Sequence, residues 1–347
     1  MATDVNLEPV NPRDRSDWDA LLLKSGDQSF FHTSGWAEVL EKTYGFKPVY
    51  FVSSVEGRLI FLMPMMEVRS RLTGKRGVSL PFTDFCPPHV EGGAFPEDAI
   101  DRVIDYGLRA GWDYIEWRDS SYFDDSLPPY DTYFIHDLDL ARPEAELFSL
   151  LKDANQRNIK KALREGVSIS IDQSLASVKA FYRLNCLTRK RHGLPPQPYS
   201  FFRQVFDGIV AKGGGIVVSA SHGGETIAAS VFFHFGAEAL YKYGASDLAH
   251  QSVRPNNLIM WEAIKWYRDR GFKNLNLGRT EIDNEGLLKY KRTWGAKESV
   301  LKYYRYDVKK KAFLHRPPAG RLATKILSRT PVPVLRLFGR LFYKHAG

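Results

Sequence analysis

Cysteine is nearly missing from this chain: Cys86 and Cys186 are the two in 347 residues. They lie too far apart to build a disulfide framework or a metal knuckle, so a reducing compartment is expected and both thiols read as core residues. A basic n-region is missing as well. Met1 to Pro9 carries two acids, which argues against a secretory signal and for a cytoplasmic location. Long apolar runs are absent too: the most apolar stretch, Leu59 to Met66, has eight residues, against about 20 for a bilayer-spanning helix. Nucleotide and hydrolase signatures are lacking, since there is no G-x-x-x-x-G-K-[ST] loop, no H-E-x-x-H helix, no G-x-S-x-G elbow and no paired C-x-x-C. Gly213-Gly214-Gly215 precedes a strand rather than opening a helix, so it reads as a loop and not a phosphate cradle.

Acidic residues run out near the end. After Asp307 none occurs, while the last forty residues hold ten Lys and Arg. Removing those ten from the 49 basic residues leaves 39 against 40 acids in residues 1–307, so the net charge of +9 belongs to the tail. A nearly neutral body offers no long-range attraction to nucleic acid, and DNA is not an expected partner.

Against these absences stands an ordinary globular composition, 44% hydrophobic and 26% charged, long enough for two domains. Periodicity predicts helices over Asp17–Leu23 and from Ser34, read as an N-cap, to Lys42. Strands over Val49–Ser53 and Leu59–Met66 flank the turn Glu56-Gly57, and Val78–Phe82 reads as a third strand. A helix over Pro96–Ala110 and a strand over Tyr114–Trp117 follow. The second half repeats that order. Strands at Ile216–Ser221, Thr226–Phe235 and Ala239–Tyr243 precede a helix over Asn257–Arg270 and a strand at Leu275–Leu277. Tyr106 to Trp112 and Trp266 to Phe272 match at an offset of 160 residues, which points to an internal duplication. Between the halves lie a strand at Tyr133–Leu140 and helices over Pro143–Leu151, Gln156–Glu165, Leu175–Lys190 and Tyr199–Ala211. Each half is thus a mixed α/β unit rich in hairpins, which disfavours a doubly wound dinucleotide fold.

Three basic clusters could carry chemistry. Arg157, Lys160, Lys161 and Arg164 share one helical face that could hold phosphates or simply be solvated. Arg189-Lys190-Arg191 closes a helix, where cations complement the macrodipole. The third, Lys289-Tyr290-Lys291-Arg292-Thr293-Trp294-Gly295, gathers cations and two aromatics just after the last strand of the repeat.

This last segment resembles the K-[FY]-K-x-x-[FW]-G element of Fem-like transferases and related acetyltransferase domains of bacterial envelope loci. Phe31 to Trp36 resembles the family's early helix, Arg157 to Gly166 its R-x-x-x-x-x-A-x-x-x-G helix, Tyr243-Gly244-Ala245-Ser246 its strand-end motif, and Leu275-Asn276-Leu277-Gly278 a further strand. The resemblance covers about residues 30–306 and implies an α/β fold of two tandem acetyltransferase-like (GNAT) domains. We take these as residues 1–142 and 143–310, followed by a basic amphipathic tail over 311–347. It implies an enzyme that moves an aminoacyl or acyl group onto an amine of a cell-envelope or exopolysaccharide precursor. By the same resemblance Lys291 sits by the reacting groups, and Tyr290 contacts substrate. Trp36, Arg157, Lys161, Arg189, Tyr243, Arg254 and Asn256 are further candidate substrate contacts.

A fixed ammonium suits such a reaction, because attack of an amine on an ester or thioester builds an oxyanion. Asp247, Glu281 and Asp283 lie near the shared motifs, yet none is singled out as general base. No tightly bound cofactor is expected. The donor stays open between acyl-coenzyme A and aminoacyl-tRNA, since the turn that binds the coenzyme A pyrophosphate, [QR]-x-x-G-x-[GA], here reads Ser252-Val253-Arg254-Pro255-Asn256-Asn257, without either glycine. A catalytically silent membrane adaptor that retains the fold is the alternative from another class. In the tail, Arg321, Lys325 and Arg329, then Arg336, Arg340 and Lys344, recur every four residues among Leu, Val, Ile and Phe. Two short amphipathic helices with a cationic face fit an anionic membrane surface at residues 318–347.

Overall fold

The computed structural model describes residues 7–26, 29–93, 95–119, 122–124, 126–316 and 327–347. Two compact units divide it: Met1–Tyr133, Val300–Pro318 and Phe342–Gly347 form the first, and Phe134–Ser299 with Ala319–Leu341 the second.

The first unit begins with β1 (Glu8–Val10), α1 (Trp18–Lys24) and α2 (Ser34–Tyr44). The Thr33 hydroxyl accepts from the Trp36 amide at 3.3 Å, so Thr33 and not Ser34 is the N-cap. Next come β2 (Lys47–Pro48), β3 (Tyr50–Val55), β4 (Arg58–Met63), β5 (Met66–Ser70), β6 (Gly74–Val78) and β7 (His89–Val90), then α3 (Ala99–Ala110) and β8 (Tyr114–Trp117). Glu56 and Gly57 both take positive φ, which matches the twist of the β3–β4 hairpin. The third strand lies earlier than the sequence suggests. It ends at Val78, because Leu80 and Phe82 adopt φ of 57° and 62° and cannot extend a strand.

The strands pair in the orders β1-β3-β4-β7 and β2-β5-β6-β8, the second continued by Tyr304–Asp307 antiparallel to β8. The β6–β8 pair is parallel because α3 crosses over between them. Trp112 and Trp117 anchor the core with Phe51, Val103 and Ile115. Gly77 is a packing requirement here: a Cβ would stand 2.1 Å from the Trp112 ring, whose Nε1 is fixed by a 2.8 Å bond to the buried Glu67. Gly77→Ala is therefore expected to lower stability by about 1–3 kcal/mol, measured as a shifted urea midpoint with unchanged slope.

The second unit is entered through β9 (Asp131–Asp139) and continues with α4 (Glu144–Leu150), α5 (Asp153–Arg164), β10 (Ser168–Asp172), α6 (Leu175–Arg191) and α7 (Tyr199–Gly208). Then follow β11 (Gly215–His222), β12 (Glu225–Phe235), β13 (Glu238–Ser246), α8 (Pro255–Asp269), β14 (Asn274–Glu281), α9 (Glu285–Lys291), β15 (Lys297–Asp307) and α10 (Val332–Ala346), of which β15 from Val300 on and α10 from Phe342 on group with the first unit. Its sheet runs β10-β11-β12-β13-β14-β9, antiparallel from β10 to β13 and parallel from β13 to β14. The strand–helix–parallel strand crossover of the first unit thus recurs as β13–α8–β14, where the 160-residue match falls. Trp261, Tyr267, Phe232 and Trp294 fill the core beneath α8.

The tail is one described helix, α10, preceded by residues 317–326, so Arg321 and Lys325 lie outside the described residues. Up to Leu341 its residues group with the second unit, where Leu335 is buried and Gly339 lies against the Pro196 carbonyl. Leu337, Phe338 and Leu341 stay exposed. No described helix is long and apolar enough to cross a membrane.

Candidate functional site

The feature that organises the second unit is a fork. β13 and β14 pair over three positions, Glu238–Leu240 with Asn274–Asn276, and then run on to Ser246 and Glu281 without pairing to each other. Both strands carry a device that turns them away at this point. On β13 the register with β12 slips between Val231 and Phe232, so that Lys242 is an extra, bulged residue, and a bulge bends its strand. On β14 Gly278 takes φ of 73°, a conformation that glycine adopts without penalty.

That kink is held from both sides. The Gly278 amide donates to Asn276 Oδ1 at 2.7 Å, and Lys291 Nζ donates to the carbonyls of Gly278 at 2.7 Å and Arg279 at 3.1 Å. Lys291 is 3% exposed, so α9 delivers a buried ammonium to carbonyls that the kink withdraws from a regular ladder. The lysine singled out by its motif therefore reaches the site through the backbone of β14.

At the end of β13 the fork is closed by polar side chains from several elements. The Ser246 amide donates to Thr188 Oγ1 at 3.1 Å, tying the strand to the end of α6. Asn256, in the first turn of α8, donates from Nδ2 to Ser246 Oγ at 3.3 Å, and its carbonyl accepts from the Tyr290 hydroxyl at 3.4 Å. One residue on, Asn257 Nδ2 donates to Asn155 Oδ1 at 2.8 Å, and Asn155 donates in turn to Thr293 Oγ1 at 2.8 Å. Burial holds the Tyr290 hydroxyl well above the usual tyrosine range, so it acts here as a neutral donor.

The turn before α8 differs from a glycine-rich phosphate turn in its backbone. Arg254 occupies the left-handed region at φ 59°, Pro255 at the first helical position has no N–H, and the Asn257 amide is turned back to the Arg254 carbonyl at 3.2 Å. Fewer amides are left for an anion than a glycine turn would present.

Other sequence candidates fall elsewhere. Arg157 is exposed and Lys161 half-buried on α5, whose Asn155 joins the polar cluster. Arg189 donates from Nε to the Pro195 carbonyl at 3.2 Å, bracing the loop after α6. The half-buried Tyr243 ring packs among Phe181, Phe202 and Phe233, and Trp36 is fully buried in the first unit against Phe31, which makes Trp36 a core ring. Motif reading missed His136 on β9, which is fully buried with Nε2 2.9 Å from Glu298 Oε2. Glu298 also binds Arg292, at 2.6 and 2.7 Å. Burial, and then the charge of Lys291, lower the His136 pKa, so the ring is neutral near pH 7. Among the described residues no cluster of His, Cys, Asp or Glu could hold a metal ion.

Residues 153–292, which contain both arms of the fork, Tyr290 and Lys291, match the family described as Acetyltransferase (GNAT) domain. The chain carries a GNAT domain. No curated protein sequence matches it. Its fold is similar to that of FemX, with 12% identity over 85% of this chain and 96% of that one and a TM-score of 0.64. It is also similar to a tandem GNAT protein from the clavulanic acid biosynthesis pathway, 12% identical over 91% and 100% with a TM-score of 0.54. L-PGS from Bacillus licheniformis shares 15% identity over 92% and 96%, with a TM-score of 0.52. The two-unit mixed α/β architecture is that of tandem GNAT proteins, and the GNAT domain makes the chain an acyltransferase.

Proposed function

We propose that the GNAT domain transfers an aminoacyl or acyl group to an amine of a cell-envelope or exopolysaccharide precursor at the cytoplasmic face of the membrane. The observation that carries this reading is the fork. It leaves backbone edges of β13 and β14 to which the extended arm of a donor can add like a short strand, placing its carbonyl between the two kinks. The attacking amine then forms a bond to that carbonyl carbon and loses a proton, and the tetrahedral intermediate collapses by expelling the thiol or ribose hydroxyl. Backbone N–H groups fixed by the kinks face the developing oxyanion, and Lys291 acts as a positioning residue that keeps the β14 kink in shape.

Two donors are to be separated. GNAT enzymes take acyl-coenzyme A as a substrate, which the domain match supports. Pro255 and Asn257 in place of glycines favour aminoacyl-tRNA, as does the likeness to FemX. Calorimetric titration of the protein with coenzyme A and acetyl-coenzyme A at moderate salt tests this. The aminoacyl reading expects no saturable heat, and a one-to-one isotherm in the micromolar range replaces it with acyl-coenzyme A transfer.

The helix α10 supports the location. Leu335 and Gly339 face the protein, Leu337, Phe338 and Leu341 face out, and Arg336, Arg340 and Lys344 follow each other along the border between the two. An apolar face edged by cations fits an anionic bilayer surface.

A further inference from the structure

Between α6, the start of α7 and α10, all within the second unit, lies a cavity of 460 Å³, the size of a small-molecule site. One face of α6 forms its wall, since Lys179, Tyr182, Arg183 and Cys186 follow at helical spacing. Among the described residues three cations line it, Lys179 and Arg183 from α6 and Arg336 from α10, and no carboxylate does. Arg183 spends part of its charge on the Thr226 carbonyl at 2.7 Å and on Glu225 at 3.6 Å. Lys179 has no partner among the described residues, and the Arg336 guanidinium lies 5.5 Å from the Tyr182 ring centroid. Between these charges the surface is apolar or aromatic, with Leu187, Tyr199 and Val332.

We infer that this cavity binds one anionic lipid, its phosphate held by Lys179 and Arg336 and the first part of its chain against Leu187, Tyr199 and Val332. Cations facing an apolar slot match a phosphate on a hydrocarbon chain better than a free phosphate, which would leave the slot empty, or a neutral lipid, which would leave the cations unanswered. Arg336 of the lining is followed along α10 by the exposed Leu337 and Phe338, a route by which a chain can run from bilayer to cavity. Leu187 of the wall precedes Thr188, which clasps Ser246 at the fork, so a lipid-borne acceptor held here is kept beside the reaction site. The inference rests on the membrane-facing reading of α10.

The test uses dodecyl phosphate below its micelle concentration, with the full chain, followed by calorimetry and by thermal shift. Saturable one-to-one binding is expected, with inorganic phosphate and dodecanol each binding about tenfold or more weakly. Lys179→Gln and Arg336→Gln, both at exposed positions, are each expected to weaken it about tenfold. Gly339→Leu, whose Cβ would stand 1.9 Å from the Pro196 carbonyl, is expected to displace α10 and abolish it. Failure of dodecyl phosphate to saturate overturns the inference, as does indifference to Lys179→Gln and Arg336→Gln, or equal binding of inorganic phosphate. Flotation with phosphatidylglycerol vesicles separates the two readings. Dodecyl phosphate binding without flotation overturns the membrane reading alone, and flotation without dodecyl phosphate binding overturns the cavity alone.

Discussion

Lys291→Ala is expected to lower transfer by about 10²–10³-fold, the range seen when a transition-state donor is lost, and to lower stability by about 2–3 kcal/mol. The two effects have one cause. The ammonium answers two carbonyls at the Gly278 kink, and alanine takes this donor from the buried Gly278 carbonyl and the half-buried Arg279 carbonyl, so the segment that frames the fork relaxes toward a regular strand or takes in water. A lysine that acted only on the reacting atoms would lower kcat and leave the unfolding midpoint unmoved. One that acts through β14 moves both, and Lys291→Arg, which can still donate to carbonyls, should recover stability before it recovers rate. Turnover at the wild-type level in Lys291→Ala sinks both accounts. Urea unfolding and transfer assays on the three proteins decide among them.

What was legible in the sequence divides along local and non-local lines. The Glu56-Gly57 hairpin and the helices α3 and α8 were readable because turn chemistry and periodicity are local. Val78 to Phe82 misled because alternating apolar residues look the same whether the backbone extends or, as at Leu80 and Phe82, turns left-handed. β10 escaped notice because an edge strand such as Ser168–Asp172 needs no strong apolar face. The segment Lys289–Gly295 was found as a motif, and its Tyr290 does meet Asn256 across 34 residues. The fork itself could not be found, because the bulge at Lys242 exists only in the pairing of β13 with β12. His136 and Glu298 stand 162 residues apart and form a pair only once β9 and β15 are placed.

Acid is expected to unfold the first unit in two steps of different origin. His32 is fully buried with Nε2 2.8 Å from the Pro87 carbonyl, and burial pushes its pKa down to about 3 from an ordinary 6.5. A histidine depressed in the folded state contributes stability that is whole above pH 6.5 and shrinks as pH falls, because the unfolded chain takes the proton first. The slope is about 1.4 kcal/mol per pH unit, so about 2 kcal/mol is lost by pH 5 and the loss ends near pH 3. Burial pushes Glu116 up, yet Arg118 and Arg305 more than offset this and hold it at about 2, below an ordinary 4.5. Its contribution is whole above pH 4.5 and lost toward pH 2, so it adds to the slope only in the lower window. His32→Gln should remove the dependence between pH 6.5 and 5 that belongs to His32, and leave the part below pH 4.5. Thermal unfolding followed across pH 7 to 2 reads both windows, and a wild-type midpoint that stays level between pH 7 and 5 would contradict a neutral His32 in this core.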